Sequence, residues 1–404
     1  MNSNSDIMTE QEIINLTGAL SSLSVFRGIL EKKPMEALTN LLIGRLNNIP
    51  TPYLLMSYGE FVHSLAKDGY SFSRFLSRAV YEDENSYIIG TARGEKLPEV
   101  LIRNAEAELK LFTRLTELTP EDLCSSGGYS GYIPEFDNER IDFTATYKDR
   151  LEHIGRYGYG VFASAKMFRV AEGEIVPVEA PDDISIDSFV GYEEERKKVL
   201  DNTEALVEGK TAANVLLFGD AGTGKSSTVK ACANYFADSG VRLIEIRKDQ
   251  LFSLSYVMGR IAENPLKFII FIDDLSFNKN DDCFSMLKAA LEGSASAKAK
   301  NAVIYATSNR RHIVKEHFSD RSESDDVHHS DTVQELMSLS DRFGLTVYFE
   351  RPNKSLYLDI IHALAEKNGI AMDRGELDVK AEAFALAKGS RSPRAAEQFI
   401  NSLI

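Results

Sequence analysis

The residues Gly219 to Ser226 read GDAGTGKS and set glycines, a lysine and a hydroxyl at the spacing G-x-x-x-x-G-K-[ST]. A short apolar run, NVLLFG, leads into them, and a helical pattern starts at Lys225. In that setting Gly222 and Gly224 let backbone N–H groups turn inward around phosphate oxygens. The helix aims its positive end at the same anion. The Lys225 ammonium is placed to reach β- and γ-phosphates, and the Ser226 hydroxyl to ligate Mg²⁺. The loop Gly219, Asp220, Ala221, Gly222, Thr223, Gly224, continuing through Lys225, Ser226 and Ser227, is therefore expected to hold a nucleoside triphosphate.

A second stretch answers the first. FIIFIDDLSF, Phe268 to Phe277, runs five apolar residues into Asp273 and Asp274. This reads as a buried strand that delivers carboxylates to an open sheet end. A phosphate loop of this kind needs a neighbouring strand ending in an acid on Mg²⁺. Asp273 is expected to be that acid, and Asp274 to polarise an attacking water.

The elements that must position these groups alternate. After NVLLFG come VRLIEI (Val241 to Ile246), FIIFID, AVIYATS (Ala302 to Ser308) and LTVYFE (Leu345 to Glu350), with helical patterns between them. Five such strands predict an α/β fold with a parallel sheet covered on both faces. The first ~120 residues read as helices instead, with TEQE (Thr9 to Glu12) as a capping box. A Gly-, Ser- and Tyr-rich loop follows. Then YGYGVFASAKMFRV and GEIVPVEAP read as two strands joined near Glu172-Gly173.

Bulk properties narrow the class. The chain has 404 residues, 43% hydrophobic and 26% charged, with net charge −15. Asp and Glu outnumber Lys and Arg 28 to 18 before Asp187 and 33 to 28 from there on. Neither part has the basic bias of a general nucleic-acid binder. No run of about 18 apolar residues is present, so no membrane span is expected. The start MNSNSDIMTEQE lacks the features of a secretory signal. Cys124, Cys232 and Cys283 sit far apart, which fits a reducing cytoplasm.

Six segments in order, DSFVGYEEER, LLFGDAGTGKSS, FIDDLSF, YATSNRRH, LSDRFGL and GSRSPRAAEQFI, resemble the AAA+ P-loop ATPase superfamily over about Ile186 to Ile404. Within it the chain resembles a little-characterised prokaryotic family of single-AAA proteins of unknown function. The resemblance implies Mg²⁺-dependent ATP hydrolysis, and with the helical, loop and hairpin patterns that precede it the chain divides into four parts. These are a helical domain over 1–123, a loop and hairpin linker over 124–185, an AAA+ core over 186–352 and a helical lid over 353–404. The resemblance sets Phe189, Val190 and Gly191 beside the adenine. Asn309 becomes the polar residue touching the γ-phosphate or the water. Arg342 becomes an arginine finger reaching the next subunit of a homo-oligomer, and Arg394 the lid arginine, with Arg391 close by in sequence. The resemblance names no client; the first expectation is an ATPase that remodels a protein or a protein–nucleic-acid assembly.

One position departs from the pattern. AAA+ proteins usually follow the metal-binding Asp with Glu, whereas Asp274 is one methylene shorter. Misplacement on the scale of an ångström can cost about a hundredfold in rate. Asp274 could work from a shifted strand end; Glu245, Asp249 or Glu292 could stand in; or the chain could be a slow nucleotide-dependent switch. Three other features read as structural. SYVMGR (Ser255 to Arg260) fits a packed helix. The stretch with His328 and His329 fits a polar loop. The arginines of NRRH fit phosphate or subunit contacts.

Overall fold

The computed structural model describes residues 8–124, 129–275, 282–292, 299–309 and 342–404. It divides into two units, Met1–Ser164 and Ala165–Ile404.

The first unit is helical. Its longer helices are α1 (Glu10–Ser21), α2 (Lys33–Leu46), α3 (Thr51–Ser64), α4 (Phe72–Tyr81), α5 (Ser86–Ala92), α6 (Glu99–Leu115) and α7 (Phe143–Glu152). Thr9 and Glu12 form the capping box read from the sequence, each side chain accepting from the other's backbone N–H. The core is aromatic: Phe26 meets Phe112 edge to face at 5.4 Å, and Phe61 meets Phe72 at 5.3 Å. Such pairs add about 0.5–1.5 kcal/mol beyond the area they bury. The buried Glu108 accepts backbone N–H groups from Ser24, Val25 and Phe26, so its charge serves packing and not chemistry.

The second unit is built on one sheet. Its strands are β1 (Met167–Ala171), β2 (Glu174–Pro177), β3 (Val215–Gly219), β4 (Val241–Glu245), β5 (Lys267–Ile272), β6 (Ala302–Ser308) and β7 (Leu345–Phe349). Their order is β2-β1-β4-β5-β6-β3-β7, and every pairing is parallel except β1 with β2. The sheet thus has seven strands, not five. The added pair is the hairpin turning at Glu172 and Gly173. Both have positive φ, as a type I′ turn requires. Instead of standing apart, the hairpin pairs Met167 to Arg169 with Leu243 to Glu245 along what would otherwise be an exposed strand edge.

Ile269, Ile270, Phe271 and Ile272 are all fully buried, which explains the unbroken apolar run: a strand covered on both faces has no polar side. On one face Val199 and Leu206 of α8 (Glu193–Val207) and Val229 and Cys232 of α9 (Lys225–Tyr235) cluster with Val215, Leu217 and Phe271. SYVMGR lies in α10 (Leu254–Ile261), where Leu254, Val257 and Ile261 are buried. After α11 (Asp282–Glu292) and the last two strands come α12 (Lys354–Lys367), α13 (Arg374–Lys388) and α14 (Pro393–Asn401), with their own core around Tyr357, Ile361, Ala381 and Phe399. Asn353, Asp373 and Ser392 cap these helices. Among the described residues no helix is long and apolar enough to cross a membrane.

Candidate functional site

β3 ends at Gly219, with φ at +139°, and a Cβ there would collide with the carbonyl oxygen of Phe349 on β7. Only glycine lets the chain leave the sheet at this point. Gly222 and Gly224 also hold positive φ, at 76° and 90°. No side chain caps α9 at Gly224, so its first-turn N–H groups are left for an anion. Gly219 and Asp220 lie at the base of the loop. Their carbonyls accept from Lys225 Nζ at 3.2 and 2.6 Å. Burial pushes the Lys225 ammonium down to about 8, against the pull of Asp220, Asp273 and Asp274. Ala221 to Ser227 line a cavity of about 390 Å³.

Asp273 and Asp274 open into the same cavity from the end of β5. Ser226 Oγ donates to Asp273 Oδ1 at 2.6 Å. Thr307 Oγ1 of β6 donates to that same oxygen at 2.5 Å. The Asp274 backbone N–H is shared between Thr307 Oγ1 at 2.9 Å and Asp273 Oδ1 at 3.1 Å. Asp274 itself sits at φ +50°, a left-handed conformation that Asp tolerates better than most residues. Asn309 Nδ2 then donates to Asp274 Oδ1 at 2.9 Å.

This donor set fits Mg²⁺. A hydroxyl and a carboxylate oxygen already in contact are the hard ligands it takes. An ion that keeps waters and phosphate oxygens needs only one or two protein carboxylates. Among the described residues no group of three His, Cys, Asp or Glu forms a fuller metal cage.

The cavity also has apolar lining, from Phe189, Val190, Ile360 and Leu364. Gly191 does not line it. At φ +75° it lets the chain pass Leu356 of α12, where a Cβ would strike the side chain. Tyr192, also at positive φ, donates through its hydroxyl to Glu350 O at 2.6 Å and so ties this segment to the end of β7. From the C-terminal helices, Arg394 lines the cavity and its backbone N–H donates to Gly222 O at 3.3 Å. Arg391 points elsewhere, forked on Glu382 through two bonds of 3.0 and 2.8 Å.

Arg342 is half-buried in the turn before β7 and does not line this cavity. Glu245 lies 3.9 Å from Lys230, and Asp249 pairs with Arg247; neither lines it. The Glu292 side chain, the arginines of NRRH after Asn309, and His328 and His329 lie outside the described residues. Sequence reading passed over Thr307, Glu397, Ile360 and Leu364. Thr307 stood two residues before Asn309 on a strand, the spacing that puts two side chains on one face.

A mostly parallel sheet whose phosphate loop follows one strand, whose acids end another and whose C-terminal helices line the cavity defines an AAA+ P-loop fold. The chain belongs to the family described as protein of unknown function (DUF815), which matches residues 162–404. No curated protein matches it in sequence. Similar solved structures include the Thermotoga maritima RuvB Holliday junction branch migration motor. That match has 14% identity and TM-score 0.33, over 54% of this chain and 72% of that one. They also include the replication initiator DnaA bound to AMPPCP and single-stranded DNA, at 15% identity and TM-score 0.40, over 56% of this chain and 66% of that one.

Proposed function

We propose that this protein binds ATP with Mg²⁺ and hydrolyses it, and that it works as a homo-oligomer acting on a protein client, alone or in a nucleic-acid assembly. The observation that carries the reading is the meeting of Ser226 and Asp273 at 2.6 Å beside the phosphate loop, with Asp274 next in the chain and held by Asn309. Separate segments of sequence supply the acidic, oxygen-rich lining of a cavity that is also lined by apolar side chains.

In this reading Lys225 and the loop N–H groups hold the phosphates. Ser226 and Asp273 would hold Mg²⁺, which neutralises charge on the phosphate oxygens when bound. Asp274 takes a proton from the attacking water, oriented by Asn309. Arg394 lies on the phosphate side of the C-terminal helices. Arg342, off its own cavity, is assigned to the cavity of a neighbouring copy, where a guanidinium spreads the charge of the leaving γ-phosphate. The two units take the roles of a partner-binding domain and a motor.

An ATPase assay over a protein concentration series tests this. Turnover that rises with concentration and disappears in Lys225→Ala is the expected result. Tight ATP binding without turnover at any concentration would replace the motor with a nucleotide-dependent switch, and absence of ATP binding would overturn the reading altogether.

A further inference from the structure

Among the described residues the cavity has three carboxylates: Asp273, Asp274 and Glu397. The first two are committed, Asp273 to Ser226 and Thr307, Asp274 to Asn309. Glu397 makes no hydrogen bond or ion pair with any described residue. A carboxylate beside an anion-binding loop is electrostatically unfavourable unless it accepts hydrogen bonds from the ligand, since an ionised carboxylate has acceptors only.

Its place on the helix narrows what it could accept. Helix α14 is anchored on the phosphate loop by its first turn: Ser392 caps it, and the Arg394 N–H bonds Gly222 O. Glu397 follows Arg394 by three residues, so it lies on the same face about 4.5 Å further along the helix axis. Ile360 and Leu364 line the same cavity. A nucleotide with its phosphates in the loop and its base on the apolar wall has its sugar between them. Other polar groups that line the cavity are engaged. Thr228 Oγ1 donates to Gly224 O at 2.9 Å, and Ser188 Oγ to Ser185 O at 2.7 Å. The Arg196 guanidinium lies over the Phe189 ring and beside Glu193.

We propose that Glu397 reads the ribose, accepting hydrogen bonds from its vicinal hydroxyls, and so selects ribonucleotides over deoxyribonucleotides. The inference rests on the ATP reading above and names the part of the ligand this residue recognises. A carboxylate suits the task because both hydroxyls are donors to it, and charge-assisted bonds of this kind are the stronger ones.

The test is equilibrium binding of ATP, 2′-deoxyATP and 3′-deoxyATP to the full chain with Mg²⁺, for the wild type, Glu397→Ala and Glu397→Gln. The wild type should bind at least one deoxy analogue about ten- to a hundredfold more weakly than ATP, the factor expected for a hydrogen bond to a charged group. In Glu397→Ala that ratio should fall to within about twofold, largely through weaker ATP binding, and Glu397→Gln should fall between. Glu397 is exposed, so neither variant threatens the fold. Discrimination that survives Glu397→Ala overturns this inference alone. So does an unchanged sugar ratio with an altered preference for ATP over ITP, which would assign Glu397 to the base. Failure of the wild type to bind ATP overturns the ATP reading and this inference with it.

Discussion

Asn309 Nδ2 donates to Asp274 Oδ1 across 2.9 Å, joining the exposed ends of β5 and β6 at the mouth of the phosphate loop. The bond fixes a short acid that the chain holds at φ +50°, in place of the longer one usual in the superfamily. An amide both donates and accepts, so Asn309 can hold the carboxylate and still face a water or a phosphate oxygen.

The pair should therefore act as one unit. Asp274→Asn is expected to lower kcat by a hundredfold or more, the range for loss of a general base, while ATP affinity stays within about threefold. Asn309→Ala should lower kcat by about ten- to a hundredfold. The double variant should be no worse than Asp274→Asn, because groups acting together are not additive. Steady-state turnover and nucleotide titration of the three variants check this. Multiplying effects would mean that the two residues serve separate steps.

Thr307 binds both acids through one hydroxyl, donating to Asp273 and accepting the Asp274 N–H. Thr307→Val keeps the shape and deletes those bonds, leaving the Asp274 N–H only Asp273 Oδ1 to donate to and Asp273 without the Thr307 hydroxyl. Stability should drop by about 1–3 kcal/mol. The Mg²⁺ concentration that half-saturates nucleotide binding should rise several-fold, because Asp273 loses its fixed orientation. Thr307→Ser should restore both. Denaturant melts and a Mg²⁺ titration with a fluorescent ATP analogue measure the two effects. A stability loss with an unchanged Mg²⁺ midpoint would confine Thr307 to packing.

Burial lowers the Lys225 ammonium from its usual 10.5 to about 8. Between those values the unfolded chain keeps a proton that the folded chain has lost, so this group makes stability rise with pH across that window. Below about pH 8 both states hold the proton, and the cost of burying the ammonium is fully present. Nucleotide binding has the opposite sign. The phosphates need the ammonium, so affinity should weaken as pH passes about 8, by up to tenfold per unit. Lys225→Arg, which stays charged, should bind more weakly at neutral pH and show no such slope. Titration with a non-hydrolysable ATP analogue from about pH 7 to 9.5 decides it; parallel slopes for the two proteins would remove Lys225 from the phosphates.

Much of this site was legible because it is local. GDAGTGKS carries its own turn chemistry, and the run ending in Asp273 is written in five consecutive apolar residues. The five parallel strands were legible for the same reason. The edge of the sheet was not: β1 and β2 read as a hairpin, but whether a hairpin stands alone or pairs with β4 depends on contacts some 75 residues apart. Thr307 was hidden because its importance lies in what β5 brings to it. Glu397 was hidden because a helix-surface Glu looks the same whether solvent or a cavity faces it. Sequence spacing could not show that Glu382 takes the Arg391 guanidinium while Arg394 lines the cavity.

Arg342 supplies the remaining prediction, because it does not line the cavity of its own chain. If it completes a neighbour's site, then Lys225→Ala and Arg342→Ala should each be inactive alone for different reasons. The first cannot hold nucleotide; the second holds it without the neighbour's guanidinium. Mixed in equal amounts and allowed to exchange, they should recover activity. A site with Lys225 intact would then sit beside a neighbour with Arg342 intact in about a quarter of positions, for random mixing in a closed ring. Recovery near that fraction of wild-type turnover, with ATP affinity of Arg342→Ala unchanged, is the expected result. Mixtures that stay inactive although the subunits are seen to exchange would take Arg342 out of catalysis and return it to the turn before β7.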